Sequence, residues 1–136
     1  PIAGLSDKEF FVPGSSLRVH VDPTQPLGYG MPKDTTVLFF ESVAFDIGNS
    51  IANDQISVAA RYRDRDLLQG GWLDGEKHLV QKPALLDVGY GKGRIAMIGF
   101  RAQNRAQAHG TFKVLFNALY RAGAVNVPAS GSVTNR

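Results

Sequence analysis

Residues Pro83 to Gly123 read PALLDVGYGKGRIAMIGFRAQNRAQAHGTFKVLFNALYRAG. Two short apolar runs, Ala84 to Tyr90 and Arg94 to Phe100, flank Gly89-Tyr90-Gly91-Lys92-Gly93, and glycines there tolerate positive φ. The pattern predicts an antiparallel hairpin. Ile95, Met97 and Ile98 leave almost no polar side chain in the second run, which predicts a central strand covered on both faces. Thr111 is placed to cap a helix in which Phe112, Leu115, Phe116 and Leu119 recur at the 3,4 spacing, with Lys113, Asn117 and Arg121 on the opposite side. Gly123 ends that helix as a C′ glycine would. One helix face lying on the Arg94–Phe100 strand is then the expected core, each large apolar side chain contributing roughly 1.5 to 3 kcal/mol when fully buried.

Upstream, Leu17-Arg18-Val19-His20-Val21 alternates strictly and reads as a strand with Leu17, Val19 and Val21 inward, leaving His20 at the surface. Phe10-Phe11-Val12 forms an apolar plug before the Pro13-Gly14 turn signal. Asp22 to Pro32 carries three prolines and two glycines, a rigid connection that excludes helix interior. Thr35 to Phe45 reads as strand with a kink near Glu41-Ser42, Gly48 to Asp54 as turn, and Ile56 to Tyr62 as a further alternating strand. Trp72, between Gly70-Gly71 and Gly75, suits either a plug over a sheet edge or a ligand-stacking platform. The expected organisation is one domain over 1–123 followed by a small, polar, flexible tail over 124–136.

At 136 residues the chain is long enough for one core, and no apolar run approaches the ~20 residues that a membrane-spanning helix needs. Pro1 to Phe11 has no signal-peptide pattern and does not open on methionine, so the chain reads as a processed or excised segment. A net charge of +3 gives no case for nucleic acid, and the densest charge run, Arg61 to Asp66, alternates in sign instead of forming a basic stripe. No cysteine is present, which removes disulfides, thiolate ligands and a cysteine nucleophile together.

Few residues are arranged for chemistry. Three positions after His20, His78 and His109 stand Pro23, Gln81 and Phe112, so no His-x-x-Glu pair exists for zinc, and no metal or cofactor is expected. Gly48-Asn49-Ser50-Ile51-Ala52 lacks the second glycine of a nucleophile elbow. Gly89-x-Gly91-x-Gly93 runs into a strand, whereas a phosphate-binding loop runs into a helix. The remaining candidate is the polar stretch Arg101 to His109 at the entry to the helix. There Arg101, Arg105 and His109 could add to the helix dipole and capture a carboxylate or phosphate. Equally, they could bind backbone carbonyls or acidic side chains and tie the loop down. The repeat Arg101-Ala102-Gln103, Arg105-Ala106-Gln107 has the period of one helical turn.

The block from Gly93 to Leu119 resembles the end of a recurring bacterial domain through GRI, FRAQ, RAQ, HGTFK and LFNAL. The likeness continues upstream in Phe10-Phe11-Val12-Pro13-Gly14-Ser15, Val21-Asp22-Pro23 and Pro26-Leu27-Gly28-Tyr29-Gly30-Met31-Pro32. That domain is the class I glutamine amidotransferase-like, flavodoxin-type module appended to carboxypeptidase A-like zinc metallopeptidases. The resemblance spans about Phe10 to Leu119. It implies an α/β layered fold with a partial sheet, a terminal hairpin and a C-terminal helix, secreted or periplasmic, without catalytic cysteine or zinc ligands of its own. The family module begins with additional strands and helices, so this chain corresponds to its second half. What the resemblance implies is a non-catalytic accessory, interaction or self-assembly domain, not an enzyme, partnered by its parent peptidase domain or by itself through an exposed sheet edge. An anion- or carboxylate-binding module using Arg101 to His109 is the alternative.

Overall fold

The structure, a computed structural model, describes residues 5–48 and 55–123; the reading of 124–136 as a tail lies outside them. The alternation around Leu17 produces β1 (Ser15–Val21), with Leu17, Val19 and Val21 buried and His20 exposed. On one side β1 pairs with β2 (Asp34–Phe39). On the other side it forks, pairing through Val19–Val21 with β3 (Ile56–Tyr62) and through Ser16–Leu17 with β4 (Leu68–Gly70). Arg18 sits in the fork: its N–H donates to Leu67 O (2.7 Å), its C=O accepts from Arg63 N–H (3.3 Å), and its guanidinium donates to Asp66 O (2.7 Å) and Leu68 O (3.1 Å). Next come β5 (Pro83–Tyr90) and β6 (Gly93–Ile98), giving the order β2-β1-β3-β5-β6 with β4 branching from β1. A 3-10 turn over His109–Thr111 leads into the helix α1 (Phe112–Gly123).

The fold is therefore mixed α/β with the expected hairpin and C-terminal helix. Gly91, at φ 56°, supplies the positive φ of the two-residue turn. Flavodoxin-type layering calls for parallel strands, whereas every described strand pairing here is antiparallel.

The core lies inside the curl of the sheet. Phe10, Phe39 and Tyr62 stack edge to face in series, with Leu17, Leu27 and Leu85 among the buried side chains around them. The curl brings the chain leaving β6 back to β2, where Arg101 N–H donates to Leu38 O at 2.9 Å. After Phe39 the chain kinks at Glu41 (φ 44°), near where the sequence predicts it, and crosses the end of β6. Val43 N–H donates to Gly99 O (3.1 Å) and Phe45 N–H to Pro83 O (3.1 Å). A Cβ on Gly99 would stand 2.5 Å from Val43 O, so the crossing requires glycine.

Several expectations are corrected. β6 is an edge strand, not a central one. Its apolar residues divide between two faces: Ala96 and Ile98 pack on the core, while Ile95 and Met97 remain 46% and 38% exposed on the other side. An uninterrupted apolar run has the same signature in both situations.

The helix is also rotated from the predicted face. Val114 is buried and Leu115 and Ala118 pack on the core, whereas Phe116, Leu119 (70%) and Tyr120 (76%) are exposed. The surface beneath α1 presents carbonyls and a carboxylate, so the side with donors turns inward. Lys113 Nζ donates to Gly30 O, Asn117 Nδ2 to Leu27 O and Tyr29 O, and Arg121 Nε to Asp87 Oδ2.

Thr111 does not cap the helix. Its buried hydroxyl donates to Ala102 O (2.8 Å) and Ala108 O (3.0 Å). Trp72 is not a plug: its indole is exposed, with Nε1–H on Asp74 Oδ2, and its backbone clasps the Ser15 hydroxyl at the start of β1.

Candidate functional site

The loop Arg101–His109, singled out by sequence, is a tightly self-bonded turn. Gln107 N–H donates to Asn104 O (2.8 Å), His109 N–H to Gln107 O (3.0 Å), and His109 Nε2 lies 2.6 Å from Ala106 O. Arg101 Nε donates to Phe40 O and Nη2 to Glu41 Oε2, while its guanidinium lies over the Phe40 ring. Arg105 is exposed at a positive φ of 47°. Of the three candidate anion ligands, Arg101 and His109 thus hold other parts of the chain, as the tying-down reading has it. His109 borders a groove beside β2 whose lining includes neither Arg101 nor Arg105.

A second polar cluster escaped the sequence reading. Asp87 is almost wholly buried on β5, between Arg94 Nε of β6 (2.6 Å) and Arg121 Nε of α1 (3.3 Å). One carboxylate accepting from two guanidinium groups satisfies the desolvated charge and joins the hairpin to the helix. Its partners lie 7 and 34 residues away, so no local pattern announces it. Among the described residues, no group of three or more His, Cys, Asp or Glu could hold a metal ion, and no helix is long and apolar enough to cross a membrane.

The surface that stands out is the outer face of β3, β5 and β6. Cross-strand pairs Ile56–Val88, Val58–Leu86, Val88–Ile95 and Leu86–Met97 put six apolar side chains together. Leu86 is buried, yet neither it nor any of the other five belongs to the core or packs against it. They form a separate apolar sheet face. Beside it runs the outer edge of β6, which pairs with no further strand among the described residues. Gly99 N–H donates to Ala84 O at 2.8 Å, so Ile95, Met97 and Gly99 direct their backbone groups to β5. Antiparallel alternation then points the N–H and C=O of Arg94, Ala96 and Ile98 outward.

No protein-family model, curated protein or solved structure matches the chain.

Proposed function

We propose that this chain is a non-catalytic interaction module that self-associates through the β6 edge and the apolar face beside it. The observation that carries this reading is the cluster around Leu86, an apolar sheet face outside the core and next to unpaired backbone groups. An exposed apolar patch on a sheet edge favours association with another strand. An antiparallel pairing of β6 with β6 of a second copy is two-fold symmetric and self-complementary. Placing Ala96 opposite its counterpart would set Ile95 against Met97 on the apolar face and match the outward groups of Arg94, Ala96 and Ile98.

The absence of cysteine, and the resemblance to the second half of an amidotransferase-like module of zinc carboxypeptidase-like proteins, fit an accessory role in a secreted or periplasmic protein. In that setting the exposed Ile95 and Met97 of the β6 edge would be covered by the parent chain or by a second copy. For the 136-residue chain alone, the second copy is the available partner.

Size-exclusion chromatography with light scattering tests this. The expected result is a dimer that Met97→Lys converts to a monomer with an unchanged far-UV circular dichroism spectrum, because Met97 does not pack on the core. A wild-type chain that stays monomeric at every attainable concentration overturns the proposal.

A further inference from the structure

The opposite end of the sheet carries a different feature. Val21 N–H donates to Lys33 O, which fixes the rungs of the β1–β2 ladder so that Thr35, Val37 and Phe39 direct their backbone groups to β1. Asp34, Thr36 and Leu38 point theirs away from the sheet. Of these, Leu38 is taken by the returning chain, in an antiparallel bridge with Arg101 whose N–H donates to Leu38 O. Beyond that bridge, towards Pro32, the edge borders a groove of about 560 Å³. Its near wall includes Ser16, Asp34, Thr36 and Leu38, and its far wall is the turn from Asn104 to Thr111. That far wall is preformed, held by the Gln107–Asn104 and His109–Ala106 contacts and by the buried Thr111 hydroxyl.

We propose that this groove binds an extended peptide segment, which adds to β2 as a strand. Outward-facing N–H and C=O groups on alternate residues repeat about every 7 Å along an extended chain. Another extended backbone matches that repeat. The Leu38–Arg101 bridge shows the mode already in use at one end of the edge, and it closes the groove there, so the peptide occupies the stretch from Thr36 to Asp34. Asn104, Gln107 and His109 line the groove opposite the edge, and Asp34 lines it at the edge itself. The backbone supplies the pairing, and the preformed wall lowers the ordering cost of binding.

This proposal uses a different strand from the one for β6, since β2 and β6 are the first and last strands in the sheet order. The test uses the monomeric Met97→Lys chain and peptides selected on it from a phage-displayed random heptapeptide library. The expected result is a peptide that perturbs the amide resonances of Asp34 and Thr36. N-methylation at alternate peptide positions in one phase should weaken binding roughly tenfold per lost hydrogen bond, while the other phase is tolerated. Thr36→Pro removes an outward N–H without touching the β1 ladder and should abolish binding with the fold retained. Failure to select a peptide, shifts confined to other residues, or indifference to N-methylation in both phases would overturn the proposal. The peptide arm decides the matter even if Thr36→Pro fails to fold.

Discussion

Tyr62 is fully buried, and its hydroxyl donates between Gly99 O (3.2 Å) and Val43 O (3.3 Å), at the place where the chain crosses the end of β6. Burial pushes its phenol well above the usual tyrosine value. The unfolded chain releases this proton near pH ~10 while the folded chain keeps it, so above that pH the folded state binds more protons and stability falls as pH rises. In urea titrations at about pH 8 and about pH 11, Tyr62→Phe is expected to cost about 1 kcal/mol at the lower pH and to show the smaller further loss at the higher one. Equal losses in both chains would refute the assignment. The alternating pattern of Ile56 to Tyr62 predicts the strand; the two carbonyls waiting for this hydroxyl come from segments 19 and 37 residues away and leave no local trace.

At the scale of elements, α1 shows how far periodicity carries. The existence of the helix and of the hairpin before it was legible from spacing and glycines alone. Which face lies inward was not, because the sequence holds two apolar stripes. One is Val114, Leu115 and Ala118; the other is Phe112, Phe116, Leu119 and Tyr120. The donors Lys113, Asn117 and Arg121 choose between them by meeting Gly30, Leu27, Tyr29 and Asp87. Val114→Ala should therefore destabilise by about 2 kcal/mol and Leu119→Ala by less than about 0.5 kcal/mol. The opposite ranking in thermal or urea unfolding would restore the face expected from spacing. β4, three exposed residues beside Trp72, was missed because so short a segment has no period to read. The bonding of Arg101 to Phe40 and Glu41, 61 and 60 residues away, depends on the curl of the sheet and leaves no local trace, whereas His109 bonds within its own turn to Ala106.

For the whole molecule, the closing of the curl rests on one close approach. Gly99 lies between Val43 O and Ala84 O with no room for a methyl group, so Gly99→Ala must push apart the crossing segment and the end of the hairpin. A loss of about 1–3 kcal/mol is expected. Gly110→Ala, in open space at the entry to α1, is the control and should fall within about 0.5 kcal/mol of wild type. Comparable losses in the two variants would mean that the crossing does not set stability. The strand order places β2 and β6 at its two ends, while the curl brings the chain leaving β6 back to β2 at Leu38.

The fork at Arg18 has a consequence for how the polypeptide acquires its shape during synthesis. Residues emerge from the ribosome in order at about 5–20 per second. The first hairpin, β1 with β2, is available early, but the amide and guanidinium of Arg18 find their acceptors only when Asp66, Leu67 and Leu68 have followed. For several seconds the nascent protein therefore exposes an apolar ribbon with one side unmatched, the interval in which a chaperone or a neighbouring nascent chain would find it.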